Sequence, residues 1–66
     1  MVTNERIREL FARASIPRGM WVAVSEERDC DGKDGRIETT GNSRDEVQGL
    51  VSRMRGKGDV AIVQNV

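Results

Sequence analysis

The sequence predicts one small α+β domain over residues 1–66, with the element order α-β-β-α-β. Three observations support this prediction. Apolar residues recur at helical spacing in two segments, strand-like apolar or alternating runs occur in three, and a capping box opens the second helix. A chain of 66 residues buries only about 60% of the surface that its unfolded form exposes, so we expect self-association to add stability.

The first element is a predicted helix that begins near Thr3 or Asn4. An apolar stripe at the i, i+3, i+4, i+7 spacing identifies it. The stripe consists of Ile7, Leu10, Phe11 and Ala14. Segment 16–19 ends the helix, because Pro17 disfavours helical angles in the residue before it and Gly19 lets the chain turn.

The first predicted strand, residues 20–25, is apolar on both sides. One side consists of Met20, Val22 and Val24, and the other of Trp21 and Ala23. A strand with one solvated face normally alternates apolar with polar residues. We therefore expect this strand to lie at the centre of a sheet and to be at least partly covered on both sides.

A second strand and a second helix follow. Residues 36–40 alternate in polarity, which is typical of an edge strand. Ser43 and Glu46 have the spacing of a capping box, and an apolar stripe continues from them. The stripe consists of Val47, Leu50, Val51 and Met54. Gly56 or Gly58 is the expected end of this helix.

The last predicted strand covers residues 59–66. Its apolar part places Val60 and Ile62 on one face and Ala61 and Val63 on the other. Within the preceding helix, Gly49 costs up to about 1 kcal/mol relative to alanine. Close packing of the helix at this glycine is the expected reason for its presence.

These elements predict a three-stranded, mainly antiparallel sheet of order 2-1-3 with both helices on one face. We prefer this order to one that pairs strands 2 and 3, because it places the two-sided apolar strand in the centre. Trp21, Ala23, Ala61 and Val63 would then form an open apolar face, and such a face suits a dimer interface. Two interpretations of Trp21 are equally consistent with the sequence: an anchor in an interface and a residue of the core.

Charge and composition exclude several classes of function. Lysine plus arginine total 11 and aspartate plus glutamate total 11, so no basic field attracts nucleic acid. No apolar run approaches the roughly 18 residues of a membrane span, and the first residues are polar without a signal core. We expect a cytoplasmic protein that contacts no membrane.

Residues that could carry chemistry are isolated from the partners they would need. Segment 29–35 resembles a calcium loop, but Cys30 and Gly32 fall where ligands belong, so it is read as a flexible, solvated loop with a cation site as the alternative. The chain has no histidine to activate Cys30 or a serine. Glu26, Glu27 and Asp29 form an acidic cluster that is expected in solvent. We predict no catalytic residue, no cofactor and no metal site.

The segment from Trp21 onward resembles the DUF5678 type, a family of short prokaryotic proteins and domains of unknown function. The matching pieces are Trp21-Val22-Ala23-Val24, Thr40-Gly41, Ser43 through Val47, and Val60 through Val63. Two features depart from the family pattern: the first helix is additional, and the loop over residues 26–35 is longer. The resemblance implies a fold and no activity.

The leading functional hypothesis is a non-enzymatic protein–protein interaction module. We expect a homodimer, formed through the open sheet face or the edge of the third strand, that binds a larger protein as an adaptor, an antitoxin-like protein or a phage-type inhibitor. The alternative is a nucleic-acid-binding module that uses the arginines in and beside the helices. These are Arg6, Arg13, Arg18, Arg44, Arg53 and Arg55.

Overall fold

The computed structural model describes residues 2–54 and 59–66. Its elements are α1 (Asn4–Arg13), β1 (Trp21–Arg28), β2 (Asp34–Gly41), α2 (Arg44–Ser52) and β3 (Val60–Gln64). The strands form an antiparallel sheet of order β2-β1-β3. The predicted α+β class, element order and sheet order are therefore confirmed. The predicted stop of the second helix at Gly56 or Gly58 lies outside the described residues.

Local hydrogen bonds explain where both helices begin. The Thr3 hydroxyl accepts from the Arg6 N–H at 3.1 Å, and the Ser43 hydroxyl accepts from the Glu46 N–H at 3.1 Å. The Glu46 carboxylate reaches back to the Asn42 N–H at 3.0 Å, one residue before the predicted partner. These side chains satisfy backbone donors that have no acceptor within the helix.

The β1–β2 hairpin is longer than the sequence predicts. β1 continues through Arg28 and β2 begins at Asp34, so the connecting loop covers only residues 29–33. The pairing shifts register between Ala23 and Val24 and again between Ser25 and Arg28. Beyond the apolar part of β1, Arg28 pairs with Asp34, so the hairpin continues past the second register shift.

The cross-strand register assigns side chains to the two sheet faces. Val22 pairs with Val63 and Val24 pairs with Ala61, so these four side chains share one face. Leu10 of α1 packs against Val22 and Val24, with Phe11, Ile16 and Ile37 around them. α1 therefore covers the face of Val22 and Val24.

α2 covers the opposite face. Gly41 pairs directly with Trp21, and a Cβ atom at Gly41 would lie 2.9 Å from Cγ2 of Val47, which is fully buried. Ala23, on the same face as Trp21, is also fully buried. The predicted placement of both helices on one face therefore does not hold. β1 is apolar on both sides, and each side receives a helix.

The described residues include no helix that is both long and apolar enough to cross a membrane. α1 (Asn4–Arg13) and α2 (Arg44–Ser52) are short, and both carry charged side chains. Each helix is anchored instead by the apolar residues that it turns towards the sheet.

Two glycine substitutions test the packing of α2. Gly41→Ala should lower the free energy of unfolding by about 1–3 kcal/mol, because the new methyl group overlaps Val47. Gly49→Ala should raise it by about 0.5–1 kcal/mol, because alanine favours helix and, apart from the helix backbone itself, no atom of the described residues lies within 4 Å of its Cβ position. The expected close packing at Gly49 is thus absent.

Urea unfolding of both variants, followed by circular dichroism, provides the measurement. Val47→Ala removes the methyl group that Gly41→Ala would contact, so the double variant should lose less stability than the sum of the two single losses. Strictly additive losses would contradict the placement of α2 over Gly41.

Candidate protein-interaction site

The four residues predicted as an open face do not lie together. Trp21 and Ala23 are on the side of the sheet that α2 covers, where Ala23 is fully buried and Trp21 is partly buried. Ala61 and Val63 are on the other side, paired with Val24 and Val22. The error arises from register, because an antiparallel pair brings the odd residues of β3 opposite the even residues of β1.

β3 is an edge strand, and half of its backbone groups point away from the sheet. The Asn65 N–H donates to the Met20 carbonyl at 2.9 Å, and the Asn65 carbonyl accepts from the Gly19 N–H. Along an antiparallel strand the bonding direction alternates from residue to residue. The backbone N–H and C=O groups of Val60, Ile62 and Gln64 therefore face the open edge.

The β3 edge lacks the features that usually protect an edge strand. Its sequence, Val60–Gln64, contains no charged residue and no proline, and its pairing with β1 has no bulge. The other edge strand, β2, carries charged side chains and two register shifts against β1. Charges and bulges discourage pairing with a further strand. Of the two sheet edges, β3 is thus the one open to pairing.

A groove with apolar residues along its middle runs beside this edge, between α1 and β3. One part has a volume of about 320 Å³ and lies between Ile7, Phe11 and Val63. The adjoining part has a volume of about 180 Å³ and lies between Val2, Ile7 and Ala61. Ile7 borders both, so the two parts form one feature, which we call the β3 groove. It exists because α1 packs most closely against β2, on the far side of β1.

The two ends of the β3 groove differ in charge. Arg8 lines the end beside Gln64 and Val66, and Asp59 lines the end beside Val60. Within the described part of the chain, neither Arg8 nor Asp59 forms an ion pair. Glu26 adds a second carboxylate at the Asp59 end. A partner strand would therefore meet a basic end, an apolar middle and an acidic end.

A buried arginine connects α1 to the β1–β2 loop. Arg6 is only 8% exposed, and its guanidinium donates to both carboxylate oxygens of Asp31 at 2.8 and 2.9 Å. It also donates to the Asp34 carbonyl at 2.9 Å, to the Gly35 carbonyl at 3.1 Å and to Glu9. Gly35 permits this approach, because its φ is +104° and a Cβ there would crowd the Arg6 side chain at 3.1 Å.

The loop over 29–33 is therefore held against α1 by side-chain contacts, which the prediction of a flexible loop did not include, whereas its residues 30–33 are exposed as predicted. Asp31 also accepts from Arg13 at 2.8 Å and from the Lys33 N–H at 3.0 Å. The hydrogen bonds from Arg6, supported by the Lys33 N–H, lower the pKa of Asp31 from 3.8 to about 2. Its oxygens are occupied by cationic and amide donors, so this carboxylate is not placed to ligate a metal ion.

The sequence analysis named Arg6 only as a possible phosphate-binding residue and missed its buried contact with Asp31, although one signal was present. Arg6 lies four residues before Leu10, in line with the apolar stripe of α1, and both are buried. A charged residue on a buried stripe requires a partner of opposite charge. The acidic loop could supply one, but only the folded hairpin brings Asp31 next to Arg6.

The remaining candidate groups do not form a catalytic arrangement in the described residues. Cys30 is exposed, and its sulfur lies 3.6 Å from a guanidinium nitrogen of Arg13. Residues 2–54 and 59–66 contain no cluster of three or more His, Cys, Asp or Glu side chains suited to a metal ion. Of the predicted acidic cluster, Glu26 and Glu27 are exposed, whereas Asp29 is partly buried and accepts from Arg13 at 3.4 Å.

Among the described arginines proposed for nucleic-acid binding, the fold separates those of α1 from those at the ends of α2, and Arg55 lies outside the described residues. Arg6 and Arg13 are both engaged by carboxylates, which raise the pKa of Arg6 through its hydrogen bond with Asp31. Arg44 lies at the start of α2 and Arg53 at its end, on the other side of the sheet from α1. Phosphate binding needs basic groups that converge on one surface.

No protein-family model, no curated protein and no solved structure matches this chain. The resemblance to the DUF5678 type stays a prediction. The shape and chemistry of the chain itself are thus the basis for a functional proposal.

The pH dependence of stability tests the Arg6–Asp31 contact. In the folded chain the pKa of Asp31 is about 2, below its ordinary value of 3.8. Its contribution to stability is therefore complete above about pH 4 and is lost as the pH falls towards about 2. We expect the urea midpoint of the unmodified chain to fall across this window.

The variant Asp31→Asn should show a flatter dependence over the same window, and Asp45→Asn, an exposed carboxylate on α2, should keep the slope of the unmodified chain. Urea titrations at closely spaced pH values measure this. An unchanged slope for Asp31→Asn would show that other carboxylates control the acid response.

Proposed function

We propose that this chain is a non-enzymatic protein–protein interaction module that binds a polypeptide strand along the β3 edge. The observation that carries the proposal is the unprotected edge itself. Val60, Ile62 and Gln64 present outward-facing backbone groups in a strand without charge, proline or bulge. Main-chain hydrogen bonds to an added strand supply affinity in this mode of recognition, and adjacent side-chain pockets supply specificity.

The β3 groove supports the same proposal. Ala61 is exposed and Val63 is partly exposed, and both point into the groove opposite Ile7 and Phe11. An added strand would place alternate side chains over this groove while its backbone pairs with β3. Contact of that kind removes apolar surface from water, which a domain with a small core requires for stability.

The chain also offers little to support catalysis. In its described part the grooves beside α1 are open to solvent, and Asp31, whose pKa is lowered to about 2, is held in ion pairs with Arg6 and Arg13. A partner-binding role, as an adaptor, an antitoxin-like protein or an inhibitor of a larger protein, needs only a specific surface. The β3 edge together with the β3 groove is that surface.

Capture from the native host tests the proposal. Three proteins would be immobilised in parallel and exposed to extract of the native host: the unmodified chain, Gln64→Pro and Gln48→Lys. Mass spectrometry would then quantify the bound polypeptides, including further copies of the chain. Gln64→Pro removes an outward-facing N–H, at a position where an edge strand tolerates proline, and also the side-chain amide that donates to the Gly19 carbonyl at 3.1 Å. Gln48→Lys changes an exposed residue of α2 and is the matched control.

We expect the chain and Gln48→Lys to retain a polypeptide in stoichiometric amount. Gln64→Pro should retain at least ten times less of the same polypeptide. Circular dichroism should show that all three proteins are folded. Equal retention by Gln64→Pro, or no retained polypeptide for any of them, would remove the proposed function.

A further inference from the structure

We infer that the polypeptide that completes the β3 edge is a second copy of this chain, paired antiparallel about a two-fold axis at Ile62. This inference rests on the proposed function and names its partner. The first argument is the self-complementary backbone. With Ile62 opposite Ile62 of the second copy, Val60 lies opposite Gln64 and every residue in these pairs has outward-facing backbone groups.

The second argument is the fit of side chains on the α1 face. In this register Ala61 of one copy lies opposite Val63 of the other, so a small residue meets a larger one twice. Both are exposed or partly exposed in the single chain. The two β3 grooves then join into one apolar channel above the paired strands, bordered by Ile7 and Phe11 of each copy.

The third argument is charge. Asp59 precedes β3 and lies at the acidic end of the β3 groove, whereas Arg8 lies at the other end, beside Gln64 and Val66. Antiparallel pairing reverses the second copy, so its Asp59 lies opposite Asn65 and next to Arg8. Asp59 has the same strand parity as Ala61 and Val63, and therefore points to the face that carries α1. The symmetry forms this charge pair twice.

The paired molecule has no open β3 edge. Its sheet runs β2-β1-β3-β3-β1-β2, and the strands at its two ends are the β2 strands, which carry the charges and register shifts. Two-fold pairing of identical surfaces also closes the assembly at two copies, so the exposed edge does not lead to open-ended association.

The mass of the purified chain, measured by light scattering over a dilution series, is the first test. We expect a dimer for the chain and for Gln48→Lys. Ala61→Lys, which places a charge in the exposed middle of the β3 groove, and Gln64→Pro should both give monomers. A chain that stays monomeric, or a dimer that survives Ala61→Lys and Gln64→Pro, overturns the inference.

Charge reversal tests the register. Arg8→Glu and Asp59→Arg should each weaken the dimer by roughly twofold to thirtyfold, as expected for two exposed ion pairs. The double variant should recover most of the loss. Single losses without recovery in the double variant would contradict the placement of Arg8 beside Asp59.

Cross-linking locates the two-fold axis. In a Cys30→Ser background, Ile62→Cys should oxidise to a covalent dimer, because hydrogen-bonded antiparallel pairs hold their Cα atoms about 5.5 Å apart, within the range of a disulfide. Gln48→Cys is the control and should not cross-link. Faster cross-linking at Val60→Cys or Gln64→Cys would move the axis and overturn this register.

The capture experiment separates the two levels of proposal. If the purified chain is monomeric but captures a different protein that Gln64→Pro loses, the second copy is the wrong partner and the proposed function stands. If neither a dimer nor an edge-dependent partner is found, both proposals fail.

Discussion

The position of α1 depends on the contact between Arg6 and Asp31. A buried guanidinium needs a hydrogen-bond acceptor for each of its donors. The loop supplies the Asp31 carboxylate, the start of β2 supplies two carbonyls, and Glu9 of α1 supplies a second carboxylate. This contact draws α1 towards β2, the strand that it approaches most closely. The helix therefore leaves Ala61 and Val63 of β3 uncovered. The β3 groove thus results from the position at which Asp31 holds Arg6.

The second constraint is the central strand. β1 is apolar on both sides, and water must be excluded from both. α1 covers Val22 and Val24, whereas α2 covers Ala23, with Val47 close against Gly41. Two short helices can each cover only part of a sheet face. On the α2 side the crossover from β2 to β3 brings the helix over all three strands, but on the α1 side no such connection spans β3.

Features encoded by neighbouring residues were predictable from the sequence, and features that depend on distant contacts were not. The Ser43 cap and the apolar stripe with Leu10 require only a few consecutive residues, and the two-sided apolarity of β1 was enough to order the strands. The face that each residue of β3 occupies depends on its register with β1, which no local pattern sets. Ala61 and Val63 were therefore predicted beside Trp21 but lie on the opposite face. The Arg6–Asp31 contact was not predicted because it joins residues that only the folded hairpin brings together.

The uncharged composition of β3 bears on whether its edge is paired with another strand. Charged residues form 33% of the chain, yet the strand from Val60 to Gln64 contains none. If this edge always faced water, a lysine or glutamate there would lower the stability of the fold little and would prevent uncontrolled pairing. β2, the other edge, has such charges. The difference between the two edges of one sheet supports the proposal that β3 pairs with another strand, and self-complementarity about Ile62 supports a second copy as that strand.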